Sequence, residues 1–421
     1  MENVRFSAGA LANLRVLELS NVIGEWCGKL MADMDANVIK IEPPGGAAER
    51  QIGPFYQDVP HPDRSLHFWH YNTSKRGITL NLETEDGREL FRKMMATADV
   101  LLETYRPGYL PSLGLGYEEL QKINPRLIMC SLTPFGQTGP WRFYRSSDLI
   151  HMAAGGQMAS TGYNEEDVPD PPPIAAGGGN AWHMGSHYAY IAIMAAVCMR
   201  DVTGEGQYID ASVHSACALT TEGAIPIYLF TKQVVRRNTG RHHSVGPGPS
   251  PRSQHLTKDG HYVNFGAGAR LTSDRLKVWA DWMDSKGVDH DLHDPKYLEP
   301  GALQEHQAHI NELVEHFFAN VTQEEAYHEG QERGFLIGAV RAPEDNLEDQ
   351  HWGDREFFVE VEHPELSKSF TYPGASAIFP RSPWQITRRA PLVGEHNDEV
   401  LCGELGLTRA ELTVLAEGGV V

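Results

Sequence analysis

Residues 98–140 read ADVLLETYRPGYLPSLGLGYEELQKINPRLIMCSLTPFGQTGP. Two short apolar runs in this stretch, DVLLET from Asp99 and LIMCSL from Leu127, are separated by helical segments and by Gly and Pro turns. That spacing is expected of successive strands in a parallel sheet covered by helices. The alternation extends upstream: RVLEL from Arg15, NVIKIE from Asn37 and ITLNL from Ile78 read as strands, with helices expected from Gly24 to Met34 and from Glu85. Ligands of such sheets bind beyond the C-terminal ends of the strands. Gly114, Leu115 and Gly116 mimic a dinucleotide loop, but no third Gly follows at the required spacing and no strand immediately precedes them, so they read as a loop before a helix.

Further along, Leu149 to Met158 and His183 to Met199 read as apolar helices, and GEGQYIDASVHSA reads as a turn, a strand and a helix. From Arg236 to Ser253 the composition shifts to Arg, His, Gly and Pro, which marks a domain boundary. The segment after it mixes strands such as HYVNF with amphipathic helices, and HFFANVTQEEAYHEGQERG is expected to be a helix pair. The C-terminal APLVGEHNDEVLCGELGLTRAEL reads as an extended entry, a helix and a further short helix.

A chain of 421 residues exceeds the size at which one core usually stops growing, so two domains are expected. Apolar residues at 41% and charged residues at 22% are ordinary for a soluble globular protein. The net charge of −20 opposes nucleic acid or an anionic membrane as a generic partner. Cys27, Cys130, Cys198, Cys217 and Cys402 form no CxxC pair, which fits a reduced, cytoplasmic protein without a disulfide framework or zinc site. The first residues, MENVRFSAGALANL, lack the pattern of a secretory signal, and the apolar run Met184 to Met199 contains His187 and is too short to span a bilayer. No metal site is expected at His183, His187, His214, His242 and His243. His183 and His187 share a helix face without the HExxH glutamate, and His242 and His243 point apart if extended.

Several segments in order resemble the class III coenzyme A transferases (CaiB/BaiF type), the family of formyl-CoA:oxalate and carnitine CoA-transferases. They are VLELSNVIGEWCGKLMADMDANVIKIEPPGG, NTSKRGITLNL, ETYRPGYLPSLGLGYEEL, LTPFGQTGP, SSDLIHMAAGGQMASTG, the GQYID strand and PLVGEH. The resemblance implies an α/β fold: a large Rossmann-like domain with a parallel sheet over 1–235, a smaller α+β domain with linkers over 236–365, and a segment over 366–421 that returns to the large domain. It also implies an interlocked dimer. Coenzyme A or acyl-CoA enters as substrate, with no permanently bound cofactor. Asn72, Lys75 and Arg76 in the N-x-x-K-R segment are expected near the CoA phosphates, and Thr104, Tyr105 and Arg106 near the adenine and ribose. Phe135 and Gly136 of LTPFGQTGP complete that set.

In the transferases that this chain resembles, an Asp carboxylate attacks the acyl-CoA thioester. It gives a mixed anhydride, then an aspartyl-CoA thioester that the acceptor acid attacks. A carboxylate suits this role because it is ionised at pH 7 without an activating base. The family's Asp lies just before the apolar helix, where this chain reads PPPIAAGGGNAWHMG from Pro171, with no Asp or Glu from Pro171 through Arg200. The position falls between Asn180 and Trp182, and an amide cannot ionise. No catalytic residue is therefore expected on this chain; the fallbacks are Asp170, in the acidic loop before the Pro run, and Asp148 in SSDLI. Asp148 also reads as a helix cap, a role open to Ser146 and Ser147. The family's A-G-P near the first helix is Gly24-Glu25-Trp26 here, and its mobile glycine tract is Gly246-Pro247-Gly248-Pro249, a stiffer loop that argues against oxalate as acceptor.

Three functions follow. The first is a subunit of a heteromer whose paralogous partner supplies the Asp. It acts with succinyl-CoA as donor and an aryl dicarboxylic acid such as benzylsuccinate as acceptor; Trp26, Trp182, Tyr163 and Phe135 suggest an aryl pocket. The second is a self-sufficient homodimeric transferase using Asp170 or Asp148. The third is a 2-methylacyl-CoA racemase, whose G-H-D motif reads Ser146-Ser147-Asp148 here and whose later Asp is replaced by Asn180.

Overall fold

The structure, a computed structural model, describes residues 9–165, 167–221, 223–239, 252–265 and 272–421. Six strands build the central sheet: β1 (Arg15–Leu19), β2 (Asn37–Glu42), β3 (Arg76–Thr79), β4 (Val100–Glu103), β5 (Ile128–Thr133) and β6 (Tyr208–Ser212). They lie in the order β3-β2-β1-β4-β5-β6 with every neighbouring pair parallel. This is the doubly wound order, in which the chain changes direction across the sheet between β1 and β4. All positions of β4 and β5 are buried. Strands covered on both faces read as continuous apolar runs, which is why DVLLET and LIMCSL stood out without alternation.

The helix Glu85–Met95 shows how the layers are held. Thr84 accepts the Gly87 N–H as an N-cap, Glu85 and Asp86 sit in the first turn, and Arg92 and Lys93 sit in the last. Its apolar face, Leu90, Phe91, Met94 and Met95, packs on Leu17, Ile39, Ile78 and Leu101 of the sheet. Val400, Leu401 and Val420 from the end of the chain join the same core. The Asn81 N–H donates to the Val420 carbonyl at 2.7 Å, tying that end beside β3.

The chain forms two compact units, one from the described parts of 1–155, 177–220 and 349–421 and the other from those of 156–176 and 221–348. The division differs from the boundary read at Arg236. Residues 156–176 belong with the second unit because Asn164 N–H donates to Thr239 Oγ1 at 3.0 Å and Arg252 pairs with Asp167 at 2.5 Å. The second unit carries a three-stranded antiparallel sheet of Gln254–Leu256, Tyr262–Phe265 and Ile337–Val340 over a core of Trp279, Trp282, Phe317 and Phe318. The expected helix pair is Gln307–Phe318 and Gln323–Glu332, the latter opened by a Thr322/Glu325 capping box. His242, His243 and the Gly246 to Pro249 loop lie outside the described residues.

Two helix readings change. Leu149 to Met158 is two helices, Asp148–Ala154 and Gln157–Ser160, parted at Gly156, whose φ of +103° only Gly adopts readily. His183 to Met199 is the middle of a 24-residue helix, Asn180–Thr203. Among the described residues no helix is long and apolar enough to cross a membrane.

Candidate active site

The ends of β1 and β4 meet at the reversal point of the sheet. There the Asn21 N–H donates to Thr104 Oγ1 at 2.9 Å. A Cβ on Gly24 would stand 2.8 Å from both Ser20 Cβ and Thr104 Cγ2, so only Gly lets the next helix start this close. A cleft of about 300 Å³ opens beside them, lined by Asn21, Glu42, Glu49, Glu83, Thr104 and Tyr105 among others. The Tyr105 ring lies 4.5 Å from that of Tyr109, whose hydroxyl donates to Glu83 at 2.5 Å. Burial pushes the Tyr105 phenol up to about 12, helped by Glu103, so it stays a neutral donor. This lining contains hydroxyls and carboxylates but no Lys or Arg, chemistry that suits ribose hydroxyls or an adenine amino group and repels a phosphate.

A second cleft, of about 440 Å³, runs from the end of β4 across β5 to the start of β6 and is lined by Glu103, Arg106, Tyr117, Ser131, Gln137 and Tyr208 among others. Arg106 is exposed, with its guanidinium 4.9 Å from the Phe143 ring centroid; Arg142 stands 4.6 Å from the same centroid. Among the described residues no carboxylate pairs with either arginine. Two free guanidiniums around one ring are a ready phosphate contact. The sequence pattern singled out Arg106 but not Arg142, which lies in WRFYR directly after a Gly-Pro turn. Gly136, with φ +85°, turns the chain out of β5, and the Gln137 N–H is held by Asp210 Oδ1 at 2.9 Å. Burial pushes the Glu103 carboxyl up to about 7, against hydrogen bonds from Ser131 and the Tyr105 N–H.

Asn72, Lys75 and Arg76 do not stand where a phosphate can reach them. The Lys75 ammonium is fully buried and spends its three protons on Glu18 Oε1 (3.0 Å), the Glu25 carbonyl (3.0 Å) and Asn72 Oδ1 (2.9 Å). Asn72, also fully buried, donates to Glu25 Oε1 at 2.9 Å. Burial opposes ionisation of Glu25, but Lys40, His67, Lys75 and Asn72 outweigh it and hold the carboxyl at about 2. Burial lowers the Lys75 pKa against the pull of Glu18. Arg76 sits at the opening of β3, at the opposite end of the sheet from the ligand edge, gripped by Asn37, Glu399 and Glu404. Asn72 and Lys75 belong to one buried polar cluster with Glu18 and Glu25, and Arg76 to another with Asn37, Glu399 and Glu404.

The start of the helix Asn180–Thr203 is built by Gly178 and Gly179, both at positive φ (+83° and +70°). The Asn180 side chain folds back to donate to the Gly177 carbonyl. Ala181 is buried, and Trp182 packs its ring 5.4 Å from that of His151. No residue of this turn offers a carboxylate. Asp148 does: its Oδ1 accepts the Ala181 N–H at 2.7 Å. Ser147 caps the helix Asp148–Ala154 through the Ile150 N–H, so the Asp148 carboxylate caps a different helix from its own. Asp170 is exposed, with φ +48°, in the second unit.

Of the aromatics expected to line one pocket, Trp26 has different ring neighbours from Phe135 and Trp182. Trp26 stacks with His70 (ring centroids 6.1 Å) and lies tilted against His183 (4.8 Å), while the Tyr71 hydroxyl hydrogen-bonds His183 Nε2 at 2.9 Å. Phe135 and Trp182 instead flank His151. Tyr163 belongs to the second unit. Among the described residues one group has metal-ligand spacing, Asp284, His290 and His293 in the second unit. The Leu292 N–H donates to His290 Nδ1 at 3.1 Å, which puts the proton of the neutral ring on Nε2, facing Asp284 at 3.1 Å. That nitrogen serves the carboxylate and has no lone pair free for a cation.

A doubly wound sheet with a polar cleft at its reversal point places this chain among the open-sheet α/β proteins, whose ligands bind at that edge. Residues 11–397 match the sequence model of CoA-transferase family III, and the chain belongs to that family. It is 31% identical over 414 residues to the BbsE subunit of succinyl-CoA:(R)-benzylsuccinate CoA-transferase from Thauera aromatica, covering 97% of this chain and 98% of that one. It is 32% identical over 410 residues to succinyl-CoA–D-citramalate CoA-transferase from Chloroflexus aurantiacus, covering 96% of each. It is 30% identical over 419 residues to the beta subunit of succinyl-CoA–L-malate CoA-transferase from the same organism, covering 98% of each. Among solved structures, a CaiB/BaiF family protein from Brucella suis matches with a TM-score of 0.79 at 26% identity, covering 94% of this chain and 99% of that one.

Proposed function

We propose that the chain is a subunit of a heteromeric CoA-transferase that moves coenzyme A from succinyl-CoA to a carboxylic acid, with the nucleophilic Asp supplied by a paralogous partner. One observation carries this reading: the first turn of the helix Asn180–Thr203 has no carboxylate of its own, and its Ala181 N–H is already taken by Asp148. Thr104 and Tyr105 receive the ribose and adenine, and Arg106 and Arg142 the phosphates. The partner's carboxylate attacks the thioester carbonyl, the C–S bond breaks and a mixed anhydride forms. The released thiolate then attacks the anhydride at the enzyme carboxyl, leaving a CoA thioester on the partner and the donor acid free. Attack by the acceptor carboxylate and a second exchange complete the transfer.

Two further features support the reading. The eight-residue helix Ala224–Thr231 buries none of its side chains, leaving Ile225, Leu229 and Phe230 51%, 59% and 89% exposed, apolar surface of the kind that marks an interface. Two of the relatives are named as subunits. The test incubates the purified chain with succinyl-CoA and a panel of benzylsuccinate, malate and citramalate, and reads acyl-CoA products by mass, with and without the paralogous subunit. Product only with the partner is expected; product from the chain alone overturns the reading. Turnover of malate but of no aryl acid by the complex removes benzylsuccinate from it.

The contact between Asp148 and the Ala181 N–H favours one second reading, in which Asp148 is itself the nucleophile, set by another helix at the place the family's Asp occupies. It predicts activity from the chain alone and its loss in Asp148→Asn. The cap reading predicts instead a stability loss of about 1 kcal/mol from that substitution with partner-dependent transfer retained.

A further inference from the structure

The helix Asp148–Ala154 carries an imidazole that none of the chemistry above uses. His151 is fully buried, and neither of its ring nitrogens has a hydrogen-bond partner. Buried polar groups are nearly always paired, and an unpaired one costs free energy, so such a side chain needs a reason. Its neighbour His214 repeats the feature at Nδ1, while the His214 backbone N–H is fixed to the Pro134 carbonyl at 2.9 Å. The two imidazole centroids are 6.0 Å apart, and Phe135 lies against both, 4.9 Å from His151 and 5.3 Å from His214. The Trp182 ring meets His151 edge-on at 5.4 Å, and the exposed Trp141 stands 5.6 Å from His214. Phe135 follows β5 and His214 opens the helix after β6, so the group sits at the ligand-binding edge of the parallel sheet.

We infer that His151 and His214 form a receptor for the carboxylate of an aryl-bearing acid, with Phe135 and Trp182 as walls for its ring. The inference rests on the proposed reading of the chain as a subunit that handles a carboxylic acid acceptor. Imidazoles at this separation can each turn one N–H toward a shared acceptor, and a bent bridge with N–H···O distances of about 2.8 Å lets one carboxylate accept from both. Burial, with His214 adding, lowers the His151 pKa to about 4, so the ring donates without carrying charge. The anion supplies the charge that strengthens both bonds. Aromatic walls select the rest of the acid, because a ring packs edge or face against them where a short aliphatic chain leaves space.

The probes are phenylacetate and its methyl ester, which share the ring and differ in the charge. Titration calorimetry measures both on the full chain, with CoA binding measured on the same preparation. Histidine ¹⁵N spectra follow the two rings. The expected result is that phenylacetate binds at least tenfold more tightly than the ester and that His151→Phe weakens the acid about tenfold while changing the ester less than about twofold. The His151 ring resonances move with the acid and stay with the ester. Equal affinity for acid and ester, an unchanged affinity in His151→Phe, or no acid binding by protein that binds CoA overturns the proposal and leaves the transferase reading standing. Acid binding with these properties in protein that binds no CoA upholds the receptor and removes the transferase reading. If His151→Phe does not fold, the comparison of acid with ester on the unaltered chain and the same titration of His214→Phe decide.

Discussion

Replacing Lys75 with Met removes a cation from the middle of a buried cluster and separates two readings of the N-x-x-K-R segment. The Lys75 ammonium lies 2.9 Å from Glu18 Oε2 with both side chains fully buried. At an effective dielectric constant of about 20, that pair alone is worth roughly 6 kcal/mol before desolvation. Removing one partner of a buried pair costs about 3–5 kcal/mol in practice, because the surviving charge is left uncompensated. Here Lys40 remains 3.4 Å from Glu18 and 3.3 Å from Glu25 and takes up part of the loss, which places the cost near the lower end, at about 3 kcal/mol. That corresponds to a fall in Tm of roughly 6–12 °C for a large domain. Glu18→Gln in the same chain relieves the stranded carboxylate and recovers part of the loss, a coupling that a double-mutant cycle reads directly. The assay is thermal melting by circular dichroism beside CoA titration of the same samples. A Tm unchanged in Lys75→Met, with CoA binding lost, refutes the structural assignment and returns Lys75 to the phosphates.

Arg106→Ala and Arg142→Ala should each weaken CoA binding about tenfold by calorimetry with little change in Tm, since both side chains are exposed and unpaired with any described carboxylate; equal affinity in both variants removes them from the phosphate site. Glu103 gives the fold a pH dependence. Its carboxyl is held at about 7 by burial, so between about 4.3 and 7 the native chain binds more protons than the unfolded one, and stability falls as pH rises through that window by up to about 1.4 kcal/mol per pH unit. Glu103→Gln should flatten that slope in denaturant titrations run from pH 5 to pH 8, and an unchanged slope refutes the assignment.

The centre of the sheet was legible because β4 and β5 are buried at every position, so each reads as an apolar run whatever lies next to it in space. Thr104, Tyr105 and Arg106 were named for a related reason: they follow a strand, and the end of a parallel strand is where a ligand can be met. Lys75 and Arg76 misled because a basic pair in a turn looks the same in sequence whether it faces solvent or lies over Glu18 or beside Glu404, which are distant along the chain. Asp148 was read as a cap or an active-site carboxylate, and its Oδ1 accepts the Ala181 N–H. That it caps Asn180–Thr203 while Ser147 caps its own helix is a tertiary fact that no local pattern encodes. His151 was not singled out because its one distinguishing property, two buried ring nitrogens without partners, exists only once the chain is folded.

The central claim is that this CoA-transferase chain carries no nucleophilic carboxylate of its own at the start of the helix Asn180–Thr203. The measurement that tests it most directly is the intact mass of the purified chain after incubation with succinyl-CoA, taken for the natural sequence and for Asn180→Asp. The account predicts no covalent CoA adduct on the natural chain, and an adduct mapping to position 180 once a carboxylate stands there. A CoA thioester on the unaltered chain, mapped by peptide digestion to Asp148 or Asp170, would contradict it.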